Sequence, residues 1–257
     1  RDISSHIKDL NPDFLNFETF AKLQNADLSN LPELSSNERI GSCITSPRKF
    51  IAIGLNYSDH AAEVGADIPK EPIVFMKATS CIVGPNDDVE IVSGSKKLDW
   101  EVELGIVIGK EAKHIAENQS QDHILGYCLV NDVSEREWQL EKMGQWVKGK
   151  SHDTYGPVGP HLVTKDEISD VNNLKMSLDV NGKRMQTGNT STMIFNVDVI
   201  VSYLSKYMTL LPGDIITTGT PPGVGMGMKP QQFLKAGDMM KLSVENLGEQ
   251  NSKVVAL

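Results

Sequence analysis

From residue 50 onward the chain alternates short apolar runs with Gly, Pro and Asp turns, a pattern that predicts strands. Strand candidates are 50–55, 73–76, 98–108, 124–132, 174–180, 214–218 and 239–244. Helical spacing is rarer and predicts helices over 14–24, 134–143 and 197–207. Leu211-Pro212-Gly213-Asp214 and Lys235-Ala236-Gly237-Asp238 each turn the chain into a following strand. Strands do not alternate regularly with long helices, which excludes a doubly wound sheet or a parallel barrel. The expected fold class is mainly β with α (α+β), a mixed β-sandwich or roll. Residues 1–45 are polar and are broken by Asn11-Pro12-Asp13, Leu31-Pro32 and Ser35-Ser36-Asn37. They read as a small N-terminal appendage to a main domain over 46–257. The chain opens at Arg1, so further residues are expected upstream. It shows no internal repeat and no low-complexity tract.

The run 98–108 carries two acids among β-branched and aromatic residues. Strand alternation puts Glu101 and Glu103 on one face, with Cα atoms roughly 6.5–7 Å apart. Two such carboxylates repel each other and are costly to desolvate. Either this face is solvated or a bound cation relieves both costs. Asp132 ends the run 124–132, where it either caps the helix that follows or joins the two glutamates. Three carboxylates together would suit Mg²⁺ or Mn²⁺ rather than zinc or copper.

In Gly54-Leu55-Asn56-Tyr57-Ser58-Asp59-His60-Ala61-Ala62-Glu63, Asn56 and Ser58 are candidate caps of a short helix. His60 and Glu63 then share a face, as a general base and its orienting carboxylate do, and as exposed helical pairs also do. The glycine and polar residues around them suit a mobile lid. In 148–160, glycines allow close backbone approach and Lys148 and Lys150 can meet an anion or lie in a solvated turn. The strand before Gly219-Thr220-Pro221-Pro222-Gly223 opens into a loop whose N–H groups and Thr hydroxyl suit a carboxylate. It is not a phosphate loop, since Gly-x-x-x-x-Gly-Lys-Ser/Thr is absent.

Composition narrows the partners. A formal net charge of −9 over 257 residues argues against nucleic acid. Cys43, Cys81 and Cys128 form no Cys-x-x-Cys and read as reduced thiols of a cytoplasmic protein. No apolar run suits a membrane span and no signal peptide is visible, so no membrane partner is expected.

The order of the motifs is specific. Gly-Leu-Asn-Tyr-x-Asp-His-Ala-x-Glu, Asp-Trp-Glu-Val-Glu-Leu, Asn-Asp-Val-Ser, Gly-Lys-Ser-x-Asp-Thr, Asn-Thr-Ser-Thr-Met-Ile-Phe and Thr-Gly-Thr-Pro-x-Gly-Val-Gly follow one another from about residue 50 to the end. This succession resembles the fumarylacetoacetate hydrolase family. The resemblance implies that family's mixed β-sandwich roll, a homodimer, and an N-terminal appendage that here lacks its first strands. It implies Mg²⁺ or Mn²⁺ held by Glu101, Glu103 and Asp132, with His60 and Glu63 as the catalytic dyad on a lid helix. Lys150 matches the active-site lysine, Gln139 a substrate-facing glutamine, and Gly219 and Thr220 the substrate loop.

The activity implied is hydrolysis of the C3–C4 bond of a 2,4-diketo acid, an acylpyruvate or a diketo-deoxy sugar acid, through an enolate held by the metal. Oxaloacetate-type decarboxylation, dienoate isomerisation and ureidoglycolate cleavage use similar sites. Residues 181–193 look most like members that handle diketo-deoxy sugar acids, and Arg184 and Gln186 there either face the variable end of the substrate or lie on a strand surface. A binding protein that has lost turnover is the non-enzyme alternative. The intact carboxylates, dyad and lysine weigh against it.

Overall fold

The structure, a computed structural model, describes residues 1–35 and 37–257; Ser36, part of the break read at 35–37, lies outside the described residues. Two sheets dominate. The six-stranded sheet has the order Val163–Thr164, Ile124–Asn131, Val102–Ile108, Ile215–Thr217, Phe50–Gly54, Ile73–Lys77. The five-stranded sheet runs Lys183–Asn189, Lys175–Val180, Met239–Val244, Gly248–Ala256, Val89–Ile91. Pairing is mixed: Phe50–Gly54 runs parallel to Ile215–Thr217 and antiparallel to Ile73–Lys77. This is the mainly β fold with few helices that the pattern predicts.

Burial explains the two kinds of strand. Lys175–Val180 and Met239–Val244 bury alternate residues, so one face packs inward. Phe50–Gly54, Val102–Ile108 and Ile124–Asn131 are buried throughout, as central strands covered on both faces must be. Leu104, Ile106, Leu178 and Leu242 share one core with Ile200, Val201 and Leu204 of the Val197–Tyr207 helix, whose bounds are those predicted. Leu15 brings the N-terminal segment into that core. Phe17–Gln24 begins later than predicted because Asn16 caps it, accepting from the Thr19 N–H at 3.0 Å. Cys43, Cys81 and Cys128 are buried free thiols, and burial pushes Cys81 up to about 11. Among the described residues, no helix is long and apolar enough to cross a membrane.

Two expectations change. The run 98–108 is not one strand but Leu98–Asp99 and Val102–Ile108, broken at Trp100 and Glu101. The Asp99 carboxylate captures the N–H groups of Trp100, Gly225 and Met226, and the Glu101 N–H turns to Asn131 Oδ1. Side-chain acceptors thus replace the ladder. The helix read over 134–143 also shrinks: Ser134–Glu135 pairs with Leu98–Asp99, and only a π-turn, Glu137–Glu141, is helical.

Candidate active site

The centre is built where two strands end. Val102 pairs with Asn131 across the ladder, and the Asp132 N–H continues it by donating to the Glu101 carbonyl at 3.0 Å. Glu101 and Asp132 therefore face each other, with Glu103 two residues further in. Carboxylate oxygens from all three lie within 4.8 Å of one another, and all three residues are buried. The solvated-strand alternative falls. So does the helix cap for Asp132, which accepts instead from Lys77 Nζ at 2.6 Å and Lys150 Nζ at 2.7 Å.

Charge is distributed unevenly over the trio. Burial alone would raise Glu101, but Arg136 at 2.6 Å and Lys150 at 2.7 Å outweigh it and hold its pKa to about 2. Burial acts in the opposite sense on Lys150, lowering its proton affinity, and Asp132 with Glu101 reverses that to a raised pKa. Glu103 forms no ion pair among the described residues. Burial, then Asp132 and Glu101, push it well above the ordinary carboxylate range, against the opposing charge of Lys150; its Oε2 accepts the Gly219 N–H at 2.9 Å. Four buried carboxylates (Asp99, Glu101, Glu103, Asp132) thus meet three buried cations (Lys77, Arg136, Lys150). A closely spaced, all-oxygen donor set with uncompensated negative charge fits a hard divalent cation such as Mg²⁺ or Mn²⁺.

A cavity of about 200 Å³ opens over the trio. His60, Gln139, Lys150, Gly219 and Thr220 are among the residues that line it. His60 sits on the helix Ser58–Val64, where its Nδ1 lies 2.8 Å from Glu63 Oε2. A proton on Nδ1 shared with that carboxylate leaves Nε2 as the basic nitrogen. Glu63 also accepts the Gly223 N–H at 2.9 Å, so the helix is clasped to the Gly/Pro loop. Neither candidate cap acts as one: Tyr57 occupies the cap position, Asn56 bonds the backbone of Phe195 and Thr218, and Ser58 donates to the Thr192 carbonyl.

Thr220 donates to the Val102 carbonyl at 2.9 Å and accepts from Gln186 Nε2 at 2.8 Å. Gln186 Oε1 in turn accepts the Val102 N–H, between the two glutamates. Gln186 is therefore a buried tie and not a substrate-facing group. Arg184 is not brought to the cavity. It is exposed on Lys183–Asn189 and pairs with Asp179; Met185, left unpaired by a bulge in that same strand, separates it from the buried Gln186.

Sequence reasoning missed Lys77 and Arg136. Lys77 ends an apolar strand, which is a visible anomaly. Arg136, four residues after Asp132, bonds Asp99 at 2.8 Å, Glu101 at 2.6 Å and Gln139 at 3.0 Å. It also missed Trp146, which closes the cavity beside Phe75.

The family model described as fumarylacetoacetate (FAA) hydrolase C-terminal matches residues 49–255. A Burkholderia lata protein named "Putative hydrolase" is 57% identical over 97% of this chain and 89% of its own length. The fumarylacetoacetate hydrolase of Exiguobacterium antarcticum aligns with a TM-score of 0.84 at 38% identity, covering 91% of this chain and 84% of its own. The 2-hydroxyhepta-2,4-diene-1,7-dioate isomerase of Mycobacterium marinum aligns with a TM-score of 0.74 at 38% identity, covering 85% of this chain and 78% of its own.

Proposed function

The chain belongs to the fumarylacetoacetate hydrolase family, and from that premise we propose that it is a divalent-metal-dependent hydrolase of the C3–C4 bond of a 2,4-diketo acid. The observation that carries this reading is the convergence of the carboxylate trio, the His60–Glu63 pair and Lys150 on one cavity.

Glu101, Glu103 and Asp132 would hold Mg²⁺ or Mn²⁺, which when bound supplies Lewis-acid stabilisation of the keto-acid head and of its enolate. His60 takes a proton from water, and Glu63 holds the ring in the required tautomer. The hydroxide attacks the C4 carbonyl. The C3–C4 bond breaks with its electron pair moving into the enolate, and a proton on C3 then gives pyruvate or a relative. C4 leaves as a carboxylic acid. The Lys150 ammonium offsets the developing negative charge. Gln139, Gly219 and Thr220 orient the substrate, and Arg136 fixes Glu101 and Gln139.

A substrate panel tests this: acylpyruvates, oxaloacetate, ureidoglycolate and diketo-deoxy sugar acids, with EDTA and with Mg²⁺ or Mn²⁺ restored. Metal-dependent acylpyruvate cleavage is expected. No metal-dependent turnover of any 2-keto acid would sink the reading.

Isomerisation is the second reading, supported by structural relatives whose names are those of a dioate isomerase and a 5-carboxymethyl-2-hydroxymuconate delta-isomerase. There His60 would move a proton between carbons without water attack, and no carboxylic acid would be released. The same premise supports a homodimer, and a monomer in sedimentation equilibrium would contradict it.

A further inference from the structure

The cavity is polar at one end and apolar at the other. Glu101, Glu103, Asp132 and Lys150 gather at the head end, and Phe75 adjoins them, its ring centroid 5.2 Å from Lys150 Nζ, and begins an apolar wall. Trp146 meets Phe75 edge to face at a centroid distance of 5.2 Å. Ile73, Leu140 and Met226 extend the wall. The indole lies on bare backbone: a Cβ at Gly54 would come within 2.4 Å of Trp146 Cζ3. Gly54 at the end of its strand therefore sets how deeply Trp146 closes the cavity.

The basic side chains lining the cavity, among the described residues, are His60, Arg136 and Lys150. Each is engaged at the head end or in the dyad: Arg136 with Asp99, Glu101 and Gln139, Lys150 with Glu101 and Asp132, His60 with Glu63. Among the described residues no cation remains for a second substrate carboxylate, and the wall meets a chain of hydroxyl groups with a single polar group, the Trp146 indole N–H. A charge or an unpaired polar group buried there goes uncompensated.

Resting on the 2-keto acid reading above, we propose that the group beyond C4 is a short apolar chain, and that Trp146 with Phe75 sets its length. The substrate class is an alkyl or aryl acylpyruvate. Dicarboxylates and polyhydroxylated sugar acids, the class that residues 181–193 suggested, are disfavoured. Each methylene that fits or fails to fit such a wall changes selectivity by roughly 10–200-fold.

Two measurements test it on the full chain with Mg²⁺. The first is kcat/KM for acylpyruvates of rising alkyl length, for fumarylpyruvate and for a diketo-deoxy sugar acid. The alkyl series should lead by at least about tenfold, in line with a buried polar group left unpaired. Trp146→Ala should move the optimum to longer chains, and Trp146→Phe should move it part of the way back. The second needs no turnover: calorimetric competition between 2-oxohexanoate and 2-oxoglutarate, with 2-oxohexanoate expected to bind more tightly. A dicarboxylate or sugar acid in the lead, tighter 2-oxoglutarate, or an optimum unmoved in Trp146→Ala overturns the proposal. Absence of turnover with 2-oxohexanoate still preferred would sink the hydrolase reading and leave the apolar wall standing.

Discussion

The carboxylate centre and the His60–Glu63 helix face the same cavity but are held in different ways. Glu101 and Asp132 stand at paired strand ends, where buried Lys150 pairs with both, Arg136 with Glu101 and Lys77 with Asp132. The helix Ser58–Val64 is short, ends at Gly65 with φ 68°, and is tied down by Glu63 on Gly223 and by Ser58 and Asp59 on Thr192. Isolated helices of this length are unstable in water, so these contacts set its position. The centre is thus fixed by charge within the core, whereas His60, the proposed base, is held by its helix's contacts with Gly223 and Thr192. Cation binding and turnover should therefore separate under mutation.

Asp132→Ala should have the largest effect. It removes an oxygen donor and leaves Lys77 and Lys150 buried and undercompensated, a loss on the order of 3–5 kcal/mol. Thermal unfolding should fall sharply and Mg²⁺ binding by calorimetry should vanish. Unchanged Mg²⁺ affinity would break the comparison. His60→Ala should cost on the order of 10²–10⁴ in turnover while Mg²⁺ affinity and melting temperature stay near wild type. Glu63→Gln should cost roughly 10–100-fold, by loosening the ring and the hold on Gly223. Its pH–rate profile should shift, which purely structural damage would not cause.

Acidity sharpens the same contrast. Glu103 has its folded pKa raised, so its contribution to stability is present at low pH and is lost as pH rises through that raised value. Glu101 is lowered to about 2, so its contribution is present above the ordinary carboxylate range and is lost as pH falls toward 2. Metal-free protein should therefore melt lower as pH rises above the ordinary carboxylate range, and Mg²⁺ should cancel that loss. A Mg²⁺-induced melting shift that shrinks as pH rises would contradict this. Arg184→Ala should change least, within about 0.5 kcal/mol and without effect on turnover.

The trio was legible because two local rules met: alternation along 101–103 and an acid ending the next apolar run at 132. Helical spacing put His60 and Glu63 on one face, and the order of the motifs singled that pair out from an exposed helical pair. What escaped depended on partners distant in sequence. Asp99 breaks the strand by binding N–H groups 126 and 127 residues away, and that break frees Leu98–Asp99 to pair with Ser134–Glu135. Lys77 finds Asp132 55 residues on. No local pattern specifies such pairs. Arg184 and Gln186 stood two apart on one strand, and the bulge at Met185 between them takes them off a shared face, so that Gln186 turns inward and ties to the loop at 220–221.

Cleavage of an alkyl acylpyruvate in H₂¹⁸O tests the hydrolase account most directly. With Mg²⁺ present, pyruvate and the carboxylic acid should appear in equal amounts, with one solvent oxygen in the acid and none of this in EDTA or in His60→Ala. Unlabelled acid, no acid, or equal release without metal would contradict it.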